Sequence, residues 1–149
     1  MSADLHRAGP GDLHRLLPLV AAYHEFEGVR STVAQRRRGV EPLLAGSPLG
    51  EVWLIGPADA PVGYLAIGLG WSIEFGGPDA FVDEFFLVEE VRGKGMGGAA
   101  LDAVADRLGR RGIVALHLEV ARENGAARAF YARRGFEPRD RYMLMSRRL

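Results

Sequence analysis

The sequence contains no cysteine among its 149 residues. This absence excludes disulfides, thiolate nucleophiles and zinc sites built on thiolates, so any chemistry must use oxygen and nitrogen groups. No apolar run approaches the ~20 residues that a membrane-spanning helix requires. Neither sign of charge dominates, since 19 Lys and Arg residues balance 19 Asp and Glu residues. We therefore expect a soluble, cytoplasmic protein that binds neither nucleic acid nor a membrane.

Length and apolar content together set the expected number of domains. Hydrophobic residues make up 48% of the chain, which is enough for one core but leaves no room for two. We expect a single domain over residues 1–149.

The spacing of apolar residues changes along the chain from helical to extended. A short strand is predicted at Leu5–Ala8, and two helices follow it. Asp12 caps the first, which runs to about Glu27, and Ser31 caps the second. Three strands rich in Val, Ile, Leu and aromatic residues follow, and then a helix, a strand and a short helix. One or two closing strands are predicted from Phe136 onward, including residues 143–146. The order β-αα-βββ-α-β-α-β(β) indicates a mixed α/β domain.

A glycine-rich turn lies between the third of these strands and the next helix. It consists of Arg92, Gly93, Lys94, Gly95, Met96, Gly97 and Gly98. The first amides of a helix have no partner within it and carry partial positive charge, and glycines let an anion approach them closely. The turn therefore predicts a phosphate-binding site, to which the Arg and Lys side chains add positive charge.

Two familiar phosphate motifs can be compared with this turn. A Walker loop requires Ser or Thr after the lysine, but Gly95 follows Lys94. The dinucleotide fingerprint G-x-G-x-x-G matches Gly93, Gly95 and Gly98, with Glu119 as a candidate ribose ligand. Acidic residues in the middle of the preceding strand argue against that interpretation, because a central parallel strand is usually apolar throughout.

A third pattern, R-x-x-G-x-G, is met by Arg92, Gly95 and Gly97. With it the chain resembles the GCN5-related N-acetyltransferase (GNAT) superfamily, since residues 81–98 look like that family's fourth strand and pyrophosphate loop. A second stretch is similar to the family's later half, N-x-x-A-x-x-x-Y-x-x-x-G-F, which is matched by Asn124, Ala127, Tyr131, Gly135 and Phe136. The resemblance covers roughly residues 51–149. It implies a mostly antiparallel central sheet with helices on both faces.

The resemblance also implies acetyl-coenzyme A as the co-substrate. In the family the fourth and fifth strands, here residues 80–88 and 114–120, diverge and hold the pantetheine arm, which implies contacts to the backbone of Phe86, Leu87 and Val88. The pyrophosphate would lie on the turn from Arg92 to Gly98. The acetyl carbonyl would lie near Phe86, polarised by a backbone amide. Asn124, which is placed to cap a helix, is a further candidate for a cofactor contact.

Acetylation of an amine needs a base for the attacking nitrogen and an acid for the departing thiolate. The resemblance makes Tyr131 the acid, and a core tyrosine whose hydroxyl bonds elsewhere is the alternative. Asp83 and Glu84 are neighbours on a strand, so their side chains leave by opposite faces. We favour Glu84 as the base, with Asp83 or a water chain as alternatives. An acidic pair would also attract a cationic amine.

The histidines complete no metal motif. His24 and Glu25 begin like the H-E-x-x-H helix of metalloproteases, but Gly28 stands where the second histidine belongs. We therefore assign no histidine as a ligand and expect no metal.

The acceptor is the least determined part of the hypothesis. The segment Asp-Glu-Phe-Phe-Leu-Val is similar to the corresponding strand of diamine acetyltransferases. This similarity implies that the acceptor is a polyamine or an amino-acid-like amine. A pocket for a small cation could be lined by Tyr23, Glu25, Glu27, Trp71 and Glu74. A protein N-terminus or lysine stays open as the acceptor, and so does a non-catalytic acyl-coenzyme A module that regulates a partner. The sequence does not determine the oligomeric state, but homodimers are common among similar proteins.

Overall fold

The computed structural model describes residues 4–149. Its elements are β1 Leu5–Arg7, α1 Leu13–Glu27, α2 Val33–Leu44, β2 Gly50–Ile55, β3 Gly63–Ser72, β4 Gly77–Leu87, α3 Met96–Arg110, β5 Ala115–Leu118 and α4 Gly125–Ala132. Short 3-10 turns precede α1 and α3 at Pro10–Asp12 and Glu89–Val91. Within the described range, no helix combines the length and the apolar character needed to span a membrane.

The chain divides into two compact units. The larger unit ends at Glu119 and contains all five strands together with α1, α2 and α3, whereas the smaller unit, Val120–Leu149, contains α4.

The five strands form one sheet in chain order, from β1 to β5. The first four strands are antiparallel neighbours, and only β4 and β5 run parallel. The predicted mixed, mostly antiparallel sheet is confirmed. Ala66 of β3 pairs with Glu84 and Ile67 pairs with Val82, so Asp83 is the extra residue of a bulge in β4.

Helices cover both faces of the sheet, as predicted. On one face, α1 and α2 contribute Leu16, Val20 and Leu44 to a core cluster that also contains Leu54 of β2 and Phe86 of β4. Alternate residues of a strand face opposite sides, so the neighbours of Leu54 belong to the other face.

That other face packs against α3, whose Leu101, Val104 and Leu108 are buried. The Arg107 guanidinium of α3 lies 4.9 Å from the centre of the Trp53 ring of β2. The larger unit thus has three layers, in which the sheet lies between α1 and α2 on one side and α3 on the other.

The cap of α2 differs from the prediction. Thr32, not Ser31, is the N-cap, because Thr32 Oγ1 accepts from Gln35 N at 3.1 Å and Gln35 Oε1 accepts from Thr32 N at 2.8 Å. Two adjacent hydroxyl residues both qualify as caps by sequence, and only the backbone geometry distinguishes them. Ser31 is left available for other contacts.

The closing strands predicted from Phe136 onward do not form in the described chain. After α4 and a left-handed Gly135, residues 136–149 have no strand, and Met143, Leu144 and Met145 are exposed. A strand exists only where its backbone pairs with a neighbour. In this segment Tyr142 N instead closes a local turn onto Arg139 O. The short apolar run at 143–146 is too weak a signal for a strand.

Candidate active site

The parallel pair of strands separates before β4 ends. Residues 79–82 of β4 pair with residues 115–118 of β5, and the last partners are Val82 and Leu118. Strand β4 continues to Leu87 and keeps β3 on its other side. Among residues 4–149, no strand pairs with the β5 side of Asp83–Leu87. The two strands therefore diverge and leave an open edge, defined here as that side of residues 83–87.

Leu87 presents its backbone to the open edge. Val88 N donates to Val62 O at 2.8 Å, so Val88 faces the β3 side. Backbone groups of successive residues in an antiparallel strand point to opposite sides, so Phe86 also faces β3 and Leu87 faces outward. The Arg92 Nε atom donates to the outward Leu87 carbonyl at 2.8 Å. Of the three backbone positions named by sequence, Leu87 is the one that reaches the open edge.

The exposed Arg92 side chain bends back toward β4 and α1. Its guanidinium carbon is 5.0 Å from the centre of the Phe26 ring of α1 and 5.4 Å from that of Phe86. These stacking contacts, together with the bond to Leu87, fix Arg92 between the open edge and the glycine-rich turn.

The glycine-rich turn has the backbone that an anion site needs. Gly93 and Gly95 have φ angles of +74° and +84°, which side-chain-bearing residues rarely adopt. A Cβ at either position would meet no atom within 4 Å, so the turn is open at its surface. The first helical bond runs from Ala99 N to Gly95 O, which leaves the amides of residues 96–98 without partners inside α3.

Lys94 and Gly97 complete the turn. Lys94 Nζ donates to the Glu90 carbonyl at 3.1 Å, a contact that leaves its positive charge unneutralised beside the amides. A Cβ on Gly97 would lie 3.1 Å from Leu87 Cδ1 and 3.4 Å from Phe85 Cζ. Gly97 thus lets the start of α3 approach β4 closely. Unpaired amides beside a lysine are the groups that an anion site requires.

Glu84 is the carboxylate that the fold holds in place. Tyr64 of β3 donates its hydroxyl to Glu84 Oε1 at 2.8 Å, and His24 Nε2 of α1 lies 2.7 Å from Glu84 Oε2. The side chains of His24 and Glu84 are 15% and 22% exposed. Each carboxylate oxygen therefore has a neighbour on a different element, which fixes its orientation.

The network continues from His24 to α2. His24 Nδ1 lies 2.7 Å from Ser31 Oγ, and Arg36 Nη1 donates to Ser31 Oγ at 3.0 Å and to the Ser31 carbonyl at 2.6 Å. Sequence reasoning assigned no role to His24 and made Ser31 a helix cap. The residues that meet at this site are separated by up to 60 positions, so no local motif signals the contact.

Tyr64 and Asp83 have pKa values displaced by the same surroundings. Burial raises the pKa of the Tyr64 hydroxyl, and the adjacent Glu84 carboxylate raises it further, so Tyr64 stays a donor at all ordinary pH values. Partial desolvation raises the pKa of Asp83, and the charges of Glu84 and Glu119 raise it further while His24 opposes them. Asp83 and Glu84 are thus distinct: one is exposed at the bulge, and the other is anchored.

The two candidates in the smaller unit have local roles of their own. Asn124 Oδ1 accepts from Ala127 N at 3.1 Å, so Asn124 is the N-cap of α4 as predicted. The half-buried Tyr131 packs its ring edge-on against Phe130 and Phe136, with centroids 5.2 Å and 5.7 Å away.

The five residues suggested for a cation pocket are not all neighbours. The Tyr23 ring lies 6.1 Å from His24 and 6.3 Å from Tyr64, beside the anchored carboxylate. Trp71 pairs with Pro78 near the β3–β4 hairpin, five residues along β3 from the partner of Glu84. That separation is about 17 Å along a strand. Trp71 and Glu74 therefore belong to the hairpin end of the sheet, away from Tyr23.

Solved structures with the same fold agree with this architecture. An integron cassette protein, HFX_CASS3, from the mobile metagenome of Cole Harbour Salt Marsh is 34% identical, with a TM-score of 0.82 over 97% of this chain and 90% of that protein. A possible acetyltransferase from Clostridium difficile 630 is 20% identical, with a TM-score of 0.84 over 100% of this chain and 99% of that one. A predicted acetyltransferase with acetyl-CoA from Clostridium acetobutylicum is 17% identical, with a TM-score of 0.78 over 97% and 96%.

Sequence comparison is informative at the level of the family. No curated protein is similar enough to be counted as a relative. The model of the Acetyltransferase (GNAT) family matches residues 19–136, which include the open edge, the glycine-rich turn and α4. That family uses acetyl-coenzyme A as its co-substrate. The chain belongs to the GNAT family of acetyltransferases.

Proposed function

We propose that the protein is a cytoplasmic N-acetyltransferase that moves the acetyl group of acetyl-coenzyme A to a primary amine of a small molecule. The observation that carries this proposal is the open edge of residues 83–87, which leads directly into a turn suited to a diphosphate. We also propose that residues 1–149 act as one domain, because the family match at 19–136 crosses the boundary between the two units.

In this proposal the pyrophosphate binds the amides at the start of α3, with Lys94 as countercharge. The pantetheine arm lies along the open edge and pairs with the backbone of Leu87, in the manner of an added strand. The outward Leu87 amide is suited to polarise the acetyl carbonyl. Asn124 is a further proposed contact to the cofactor.

The reaction then needs two proton transfers. Glu84 accepts a proton from the acceptor's ammonium group, and the free amine attacks the thioester carbon. The C–N bond forms and the C–S bond breaks, and Tyr131 donates a proton to the departing thiolate. The second proton lost by the nitrogen restores Tyr131, so the net products are an amide, coenzyme A and one proton. These groups need no metal.

The charges near the open edge favour a cationic acceptor. Asp83, Glu84 and Glu119 lie close enough for the last two to raise the pKa of Asp83. The ring of Tyr23 packs against His24 and Tyr64, the two residues that contact Glu84, and aromatic rings attract ammonium groups. We therefore propose a polyamine or an amino-acid-like amine as the acceptor class.

A turnover screen tests the proposal. The purified protein is given acetyl-coenzyme A and a panel of polyamines, amino acids, and peptides with free N-termini or lysines, and released thiol is measured with a dye. We expect thiol release with at least one small amine. Release with peptides alone would favour a protein N-acetyltransferase. Silence across the panel, with coenzyme A binding intact, would favour a non-catalytic acyl-coenzyme A module.

Two measurements on the same preparation complete the test. Coenzyme A should raise the melting temperature and NAD(H) should not, because a dinucleotide fold requires a parallel sheet and this sheet is mostly antiparallel. Stabilisation by NAD(H) instead would contradict the proposal. Sedimentation analysis tests the homodimer hypothesis.

A further inference from the structure

We propose that His24 positions the Glu84 carboxylate and that the charge on His24 sets the acidic limit of the enzyme's activity. This inference rests on the proposed role of Glu84 as the base. It is carried by the row of contacts from Arg36 through Ser31 and His24 to Glu84, in which successive polar atoms lie 2.7–3.0 Å apart.

The hydrogen-bonded chain from Arg36 to Glu84 keeps all its hydrogen bonds whether His24 is neutral or charged. A guanidinium can only donate, so Ser31 Oγ accepts from Arg36 and retains one proton and one lone pair. Neutral His24 donates from Nε2 to Glu84, and its Nδ1 accepts the Ser31 hydroxyl proton. Protonated His24 donates from both nitrogens, and the Ser31 hydroxyl turns to accept. Ser31 therefore lets His24 change charge without loss of a bond.

The charge on His24 changes what Glu84 can do. Beside a neutral imidazole, Glu84 carries a full negative charge that attracts the acceptor's ammonium and accepts its proton. Beside an imidazolium, that charge is paired at 2.7 Å, and Glu84 becomes a weaker base and a weaker attractor. Activity should therefore rise as His24 loses its proton.

The other groups around the pair do not duplicate this role. Tyr64, from β3, donates to Glu84 Oε1 and keeps its proton. Asp83, from β4, interacts electrostatically with both Glu84 and His24 but lies exposed at the bulge. Arg36, from α2, is a permanent cation. Histidine is the side-chain type that ordinarily changes charge between pH 5 and pH 8.

The test compares kcat/KM of His24→Gln with that of the wild type between pH 5.5 and pH 8.5, using the amine identified by the screen. Glutamine can still donate an amide proton to Glu84, but it carries no charge. The ratio of variant to wild type cancels the ionisation of the amine itself. We expect this ratio to rise severalfold toward pH 5.5, because glutamine cannot take up the charge that weakens Glu84 in the wild type.

Two further variants separate positioning from general damage. His14→Gln, the same change at an exposed residue of α1, should give a flat ratio near one. His24→Asn, whose shorter amide reaches Glu84 poorly, should be less active than His24→Gln at pH 8. Coenzyme A should stabilise all three variants as it does the wild type.

The outcomes are distinct. A flat ratio for His24→Gln in an active enzyme, or equal activity of the Gln and Asn variants, overturns the inference alone. A wild-type protein that acetylates no amine overturns the proposed function and this inference together.

Discussion

A methyl group added at Gly63 should damage the open edge from the far side of β4. Gly63 begins β3 and pairs with Leu87, the last residue of β4. An ideal Cβ at position 63 would press against the Phe86 carbonyl oxygen and lie 2.7 Å from Leu87 Cδ2 and 3.2 Å from Leu87 Cα. Backbone atoms cannot rotate away as a side chain does, so the end of β4 must move.

The expected cost follows from these contacts. Overpacking of this kind costs about 1–3 kcal/mol, and the stiffer unfolded chain of an alanine variant offsets about 0.4–1 kcal/mol of it. Gly63→Ala should therefore lower the free energy of unfolding by about 1–2 kcal/mol, or the melting temperature by roughly 2–8 °C for a chain of this length. Coenzyme A affinity should also fall, because the outward backbone of Leu87 moves with the strand.

Gly68→Ala is the matched control. Gly68 lies in the same strand, and a Cβ there would meet no atom within 4 Å. Urea unfolding followed by circular dichroism should show Gly63→Ala less stable than the wild type and Gly68→Ala equally stable or slightly more so. Equal stability of the two alanine variants would refute the close approach of β3 and β4 at Leu87.

Three further predictions address the turn and the proton-transfer groups. Met96→Glu should bind coenzyme A about tenfold more weakly than Met96→Gln, because a carboxylate at the start of α3 repels a diphosphate by roughly 1–2 kcal/mol after screening; equal affinities by calorimetry would contradict the anion site. Tyr131→Phe should lower kcat by roughly 10²-fold or more with coenzyme A affinity unchanged, and an unaltered kcat would remove Tyr131 from the mechanism. Asp83→Asn should raise the free energy of unfolding at pH 7. Desolvation raises the pKa of Asp83 in the folded state, so its ionisation opposes folding. The gain should vanish below about pH 4, where Asp83 is protonated in both the folded and the unfolded state. Urea unfolding at pH 7 and below pH 4 measures it, and the same stability difference between variant and wild type at both pH values would contradict this reasoning.

Local patterns predicted most helices and strands correctly, because the signal for each of these elements lies in consecutive residues. The apolar run before Gly56 predicts β2, and the glycines at 93–98 predict a turn between a strand and a helix, where the structure has one between β4 and α3. The cap at Asn124 is also confirmed, since a side chain three residues before a free amide is a local feature. Where the pattern was short, as at residues 143–146, the prediction failed.

Long-range contacts lay beyond these patterns. The predicted divergence of two strands came from the family resemblance, whereas its position, after Val82 and Leu118, follows from the register of the parallel pair. The choice between Asp83 and Glu84 rested on strand alternation, and the bulge at Asp83 alters that alternation. The anchoring of Glu84 depends on His24 and Tyr64, which are 60 and 20 residues away.

Composition and local pattern were enough to predict a mixed α/β fold, the absence of thiol chemistry and a glycine-rich turn before a helix. These are properties of composition and of neighbouring residues, so they can be inferred without knowing which distant segments meet. The fold determines which carboxylate is anchored and which backbone groups of β4 remain open. Those features depend on side chains and strands that approach each other from distant positions, and their geometry is set by packing across the sheet.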